Sequence, residues 1–187
     1  MRYLSRKSAD ARKLHETQAE NELGAGQLID EYLGAGYMLT EDWDGLPLSV
    51  QEQILWAKDR HTLMRLLIDH GLLTQYQAAR IQSGTTFGMV LGSYRVLDRI
   101  GAGGMAVVFK SEHIDLRHLV AIKVLPLSPG QDGRVENRFF SEMRVVSRLH
   151  HPNIVAAGDA GRVINPDPNG PSLRSLVMGY GTGQDLE

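Results

Sequence analysis

Two residues of this chain, Lys123 and Glu142, combine type and setting in a way that invites chemistry. Lys123 ends the apolar run LVAIK, where an ammonium is costly to bury unless an anion or a carboxylate meets it. Glu142 follows nineteen residues later, flanked by Phe139, Phe140, Met143, Val145 and Val146. A glutamate among core-facing residues has the same difficulty, and pairing the two relieves both. A bound phosphate is the other partner conceivable for the lysine. Val108, fifteen residues before Lys123, belongs to the stretch RIGAGGMAVVFK, Arg99 to Lys110. Glycine lets a backbone come close to a ligand, and its exposed amides suit an anion such as phosphate. The plainer reading is a tight turn plus a surface ion pair worth ~0–1 kcal/mol.

The pattern Gly101-x-Gly103-x-x-Ala106 also fits a dinucleotide-binding Rossmann turn. That reading needs a helix directly after the glycines and an acidic residue closing the next strand. Here VVFK continues as strand, and the next apolar segment ends in lysine and proline. The elements that must position Lys123 and Glu142 are therefore strands and one helix. YRVLDRI, AVVFKSEH and HLVAIKVLP read as successive strands rich in Val, Ile and Leu. After the turn LSPGQDG, Phe139, Phe140, Met143, Val146 and Leu149 recur at helical spacing. IVAAGDAGRV and SLRSLVMGY read as two more strands, separated by INPDPNGP. The order predicts an α+β fold, a five-stranded antiparallel sheet with one long packed helix.

The preceding part reads differently. Residues 1–45 give a weak helical signal broken at Gly24–Gly26 and Gly34–Gly36, and low order is expected there. Between Lys13 and Lys58 there are nine Asp or Glu and no Lys or Arg, the pattern of a solvated acidic face. Residues 46–84 predict a small helical module. Ser49 with Glu52 and Thr74 with Gln77 form capping-box patterns, and Asp59 can cap a helix carrying Leu63, Leu66, Leu67 and His70 up to Gly71. Trp56 and the leucine stripe read as core or as a docking face. Residues 85–93 are the expected linker, and residues 94–187 the sheet domain.

With 187 residues, 42% hydrophobic and 22% charged, the chain has room for one domain or two small ones. A net charge of -2 gives no global basic field for nucleic acid or an anionic membrane. The lack of cysteine excludes disulfides, thiolate chemistry and Cys-based zinc sites. No apolar stretch reaches the roughly 18 residues of a spanning helix, and the basic start has no apolar core behind it, so a cytoplasmic location is expected.

Taken together, the glycine-rich stretch, VAIK, Glu142, HPNIV at His151–Val155 and the closing LVMGYGTGQDL resemble the amino-terminal lobe of a eukaryotic-like Ser/Thr protein kinase. The run LLTQYQAARIQSGTTFGMVLGSYRVLDRIGAGGM resembles bacterial kinases of the planctomycete type, in which a short helical segment precedes the kinase domain. The resemblance implies ATP as ligand, with Mg²⁺. It lays Ile100, Gly101, Ala102, Gly103, Gly104, Met105, Ala106 and Val108 over the nucleotide as a hairpin lid. Val108 and Ala121 would cover the adenine, Lys123 would contact phosphates and Glu142 would orient Lys123. Met178 falls at the back of the adenine pocket, the main chain of Gly179 and Gly181 at its edge, and Asp185 beside the ribose. His151 is expected to be structural, and His150 a surface or packing residue.

Three departures stand out. Ala106 replaces the third lid glycine, and Gly179 replaces the usual hinge glutamate. No catalytic-loop aspartate and no magnesium-binding aspartate motif follow before Glu187, so this chain alone is expected to be inactive in phosphoryl transfer. A non-catalytic interaction protein, in which such a lobe binds another kinase or a protein substrate, is the second reading.

Overall fold

The computed structural model describes residues 24–104, 106–127, 133–146, 157–168 and 170–181. They divide into two units, with the change of unit between Leu73 and Thr74.

In the first unit four helices follow one another: α1 (Ala25–Gly34), α2 (Thr40–Asp44), α3 (Leu48–Leu55) and α4 (Arg60–Asp69). Residues 24–45, for which low order is expected from the sequence, thus form two helices. These glycines do not break the helix: α1 starts just after Gly24, takes Gly26 into its first turn and stops at Gly34, and Gly36 takes φ 72°. Leu28, Ile29, Tyr32 and Met38 are buried, which supplies the burial that the local pattern alone lacks. Asp30, Glu31, Glu41, Asp44 and Glu52 are exposed.

Asp59 caps α4 as the sequence indicates: its carboxylate accepts from the Thr62 amide at 2.8 Å and the Thr62 hydroxyl at 2.9 Å. Leu63, Met64, Leu66 and Leu67 form the buried stripe, and Gly71 ends it at φ 73°. The capping box at Ser49 does not form. Pro47 is the N-cap residue of α3, which begins at Leu48, and its carbonyl accepts from the Val50 and Gln51 amides. Gln51 instead donates its side-chain amide to the carbonyls of Trp43 and Leu46, tying the turn before α3 to its first turn. Trp56 is 82% exposed, so of the two readings it is not core.

The second unit opens with α5 (Gln75–Gln82), capped by the expected reciprocal pair: Gln77 N donates to Thr74 Oγ1 and Thr74 N to Gln77 Oε1. The sequence reading places this helix in the preceding module, yet it packs on the strands, and Thr74 Oγ1 donates to the Leu97 carbonyl at 2.6 Å. Six strands follow: β1 (Val90–Leu91), β2 (Tyr94–Ala102), β3 (Val107–His113), β4 (Leu119–Leu127), β5 (Ala157–Val163) and β6 (Ser172–Gly179). Helix α6 (Gly133–Val146) lies between β4 and β5 in the chain.

All pairings are antiparallel, in the order β1-β2-β3-β4-β6-β5. Among the described residues the sheet has six strands, not five. The sixth is β1, inside the expected linker: Gly92 at φ 61° turns the chain tightly enough for Leu91 to pair with Tyr94. The sheet is curled, bringing β1 against β5. Burial, and secondarily the Asp159 carboxylate of β5, push the Tyr94 phenol of β2 above its ordinary range.

Strand alternation gives the sheet two apolar faces. On one, Leu91, Val96, Val120, Ile122, Val124, Leu173 and Val177 form a buried cluster, with Tyr76, Phe87 and Phe109 packed against it. On the other, Leu125 and Leu176 receive Phe139 of α6, with Val135, Met143 and Met178 around them. Val146 and Leu149, named for the same stripe, lie outside the described side chains.

Candidate functional site

Lys123 owes its place to register. On the face that receives α6, Val108, Lys123 and Leu176 make one row across β3, β4 and β6. Lys110, Ala121 and Met178 make the next row. Phe139, 5% exposed, anchors α6 over Leu125 and Leu176. That anchoring turns Glu142, one helical turn further along, toward the lysine. Lys123 Nζ donates to Glu142 Oε1 at 2.5 Å.

The pairing expected from sequence is present, but its setting differs. The Lys123 side chain is 25% exposed and that of Glu142 is 49% exposed, so neither is in the core. A pair this wet contributes ~0–1 kcal/mol to stability. What it does fix is where the ammonium points.

The expected lid residues lie on the hairpin of β2 and β3. Its tip closes through Gly103 N donating to the Ala106 carbonyl at 2.9 Å, and Ala106 is itself buried. Neither Gly103 nor Gly104 has a positive φ, and a Cβ at Gly104 would meet nothing within 4 Å. Internal sterics therefore do not demand glycine at the tip. Open space beside bare backbone is what close approach by a ligand requires.

Gly103, Gly104, Ala106, Val108, Lys123 and Glu142 surround one cavity of about 270 Å³, floored by Leu125, Val135 and Phe139. Of the sequence-derived site residues these six converge. Ala121 and Met178 share the face but sit one row away, and Met178 also packs on the α6 anchor. Gly101 faces Val108 across the hairpin. Ile100 and Ala102 are exposed on the lid and do not line the cavity. Gly179 ends β6 opposite Val120, and Gly181 is exposed beyond it. Met105, Asp185, His150 and His151 lie outside the described residues.

Two contacts escaped the sequence reading. Phe139 and Val135 floor the cavity, although the helical stripe marked only Phe139, and only as core. Lys110 Nζ stands 5.4 Å from the centroid of the Tyr180 ring, a cation–π contact linking the lid strand to the segment after β6. The available signal was alternation, since Lys110 is two residues from Val108 and shares its face.

A larger cavity, about 680 Å³, opens between α6 and β5, lined by Asn137, Met143, Arg144 and Asp159 among others. It has volume and one glycine, Gly158, but neither the glycine-rich hairpin tip nor the Lys123–Glu142 pair lines it, so the smaller cavity is the better chemical candidate. Among the described residues, no group of three or more His, Asp or Glu could hold a metal ion. No described helix is long and apolar enough to cross a membrane.

Comparison with known proteins gives the geometry a context. Over half its length, this chain is similar to bacterial serine/threonine protein kinases. It is 43% identical over 98 residues to the serine/threonine-protein kinase PrkC of Bacillus subtilis, which is 52% of this chain and 14% of that protein. It is 37% identical over 93 residues to the serine/threonine-protein kinase pkn3 of Myxococcus xanthus, 50% of this chain and 16% of that protein. The serine/threonine-protein kinase PksC of Streptomyces coelicolor is 36% identical over 95 residues, 51% of this chain and 16% of that protein. The chain thus spans about one-sixth or less of the curated relatives it matches. No family model matches it.

Proposed function

We propose that residues 94–187 form the nucleotide-binding lobe of a Ser/Thr protein kinase, and that ATP is the nucleotide. The observation that carries this reading is the convergence of bare glycine backbone, Lys123 and its Glu142 partner on one cavity. Partial similarity to bacterial Ser/Thr kinases supports it. ATP would bring the transferable phosphoryl group, and its Mg²⁺ would come with it.

This chain's own residues bind and orient. Lys123 offers a fixed positive charge for phosphate oxygens, and Glu142 keeps that charge from swinging away. Gly103 and Gly104 let the lid backbone come down without side-chain interference. Val108 and Ala121 supply apolar surface for the base, and Met178 limits its depth. Main-chain groups of Gly179 and Gly181 take the edge of the base, so replacing glutamate by Gly179 does not remove them.

A second reading, a non-catalytic interaction protein, is favoured by one feature of the helical unit. Leu48 and Trp56 are 76% and 82% exposed, and Leu55 beside them is 44% exposed, more apolar surface than packing needs.

Thermal denaturation with and without Mg-ATP separates the two. The kinase-lobe reading expects a raised melting temperature that Lys123→Met abolishes. An unchanged melting temperature at millimolar Mg-ATP contradicts nucleotide binding and leaves the interaction reading.

A further inference from the structure

The face of the sheet opposite α6 is covered by the chain's own upstream segment. Along residues 74–91 the contacts are continuous. Thr74 Oγ1 holds the Leu97 carbonyl, and the Tyr76 ring meets the Phe109 ring with centroids 6.1 Å apart. Arg80 ties helix to strap: Nη1 donates to the Tyr76 hydroxyl at 2.8 Å and Nη2 to the Phe87 carbonyl at 2.9 Å. Its Nε donates to the Thr85 carbonyl. The strap then joins the sheet, with Val96 N donating to the Met89 carbonyl at 2.8 Å and Val90 paired with Arg95. At Gly88, φ is 81°, which disfavours other residues, and a Cβ would lie 2.8 Å from Leu173 Cδ1, so a side chain there would have to push the leucine tip aside.

Phe109 gives this covering a consequence for the site. It follows Val108 directly, and alternation sends the two side chains to opposite faces of β3. Val108 lines the cavity, while Phe109 packs with Tyr76 against the outer cluster. Holding Phe109 therefore holds the lid strand from behind.

We infer that residues 74–91 are a built-in brace of the sheet and that Tyr76 is a positioning residue for the glycine-rich lid. The brace stands on the contacts alone; its value to ligand binding rests on the nucleotide-site reading. An aromatic pair carries energy beyond the area it buries, so losing the Tyr76 ring loosens the hairpin locally. Losing only its hydroxyl leaves the ring contact intact.

Amide hydrogen exchange of the whole chain, without nucleotide, tests this on wild type, Tyr76→Leu and Tyr76→Phe. Tyr76→Leu keeps apolar volume on the sheet and removes the ring. It is expected to speed exchange in Ile100–Val108 about three- to ten-fold, leaving β6 unchanged, whereas Tyr76→Phe stays near wild type. Unchanged lid exchange in Tyr76→Leu overturns the inference, and so does an equal rise through β4 and β6. A parallel Mg-ATP titration separates the two claims. Weaker binding by Tyr76→Leu than by wild type supports the positioning role. A local rise in exchange with no binding by wild type upholds the brace and overturns the nucleotide reading.

Discussion

Lys123 can be exchanged without threatening the fold, because its side chain and that of Glu142 are partly solvated. Lys123→Met is expected to change stability by less than ~1 kcal/mol. The same change should weaken ATP binding about ten- to hundred-fold, the worth of a charge-assisted hydrogen bond to phosphate. Calorimetric titration and a melting curve on one preparation measure both. Ser111 is the opposite case. Its Oγ is buried in the outer apolar cluster with no hydrogen-bond partner, so Ser111→Ala should be neutral or stabilising by about 1 kcal/mol in chemical denaturation. Asp59 makes a pH prediction. The Thr62 amide, and then its hydroxyl, hold the Asp59 carboxyl below its ordinary value. A folded pKa below the unfolded one gives stability that is present above the unfolded value and lost as pH falls through the folded one. The melting-temperature gap between wild type and Asp59→Ala should be widest at neutral pH and should narrow below about pH 4. Lys123 and Glu142 were legible because a charge ending an apolar strand and a charge inside a helical stripe each ask for a partner. Their solvation was not legible, since it depends on how far α6 overhangs the sheet.

Helix α6 is the element on which the site turns. Phe139→Ala empties the contact with Leu125 and Leu176 and should cost about 3–5 kcal/mol in denaturant unfolding. With its anchor gone, α6 no longer aims Glu142 at Lys123, so ATP affinity should fall in Phe139→Ala even where the protein remains folded. The strands from Tyr94 onward were readable from Val, Ile and Leu runs, and α6 from its spacing. The strand β1 was not, because two residues carry no periodicity and their pairing depends on the turn at Gly92. The cap of α3 was misread for a related reason: the side chain of Gln51, reaching back to Trp43 and Leu46, outweighs the local Ser49–Glu52 pattern. Helix α5 was found with its cap, but its loyalty to the sheet is a tertiary fact carried by Thr74, Tyr76 and Arg80.

At the scale of the molecule, the sheet unit is a two-faced layer, with α6 and the cavity on one side and the α5 brace on the other. The cavity gathers six of the residues that the sequence marks, while Ala121 and Met178, proposed to meet the base, fall one row away on the same face. Backbone amide chemical shifts followed during a Mg-ATP titration test the central claim most directly, because they report where a ligand sits as well as whether it binds. Perturbations are expected to concentrate at Gly101–Val108, Lys123 and Met178–Gly181 and to be largely lost in Lys123→Met. Perturbations confined to the groove between α6 and β5, or none at millimolar Mg-ATP, would contradict it.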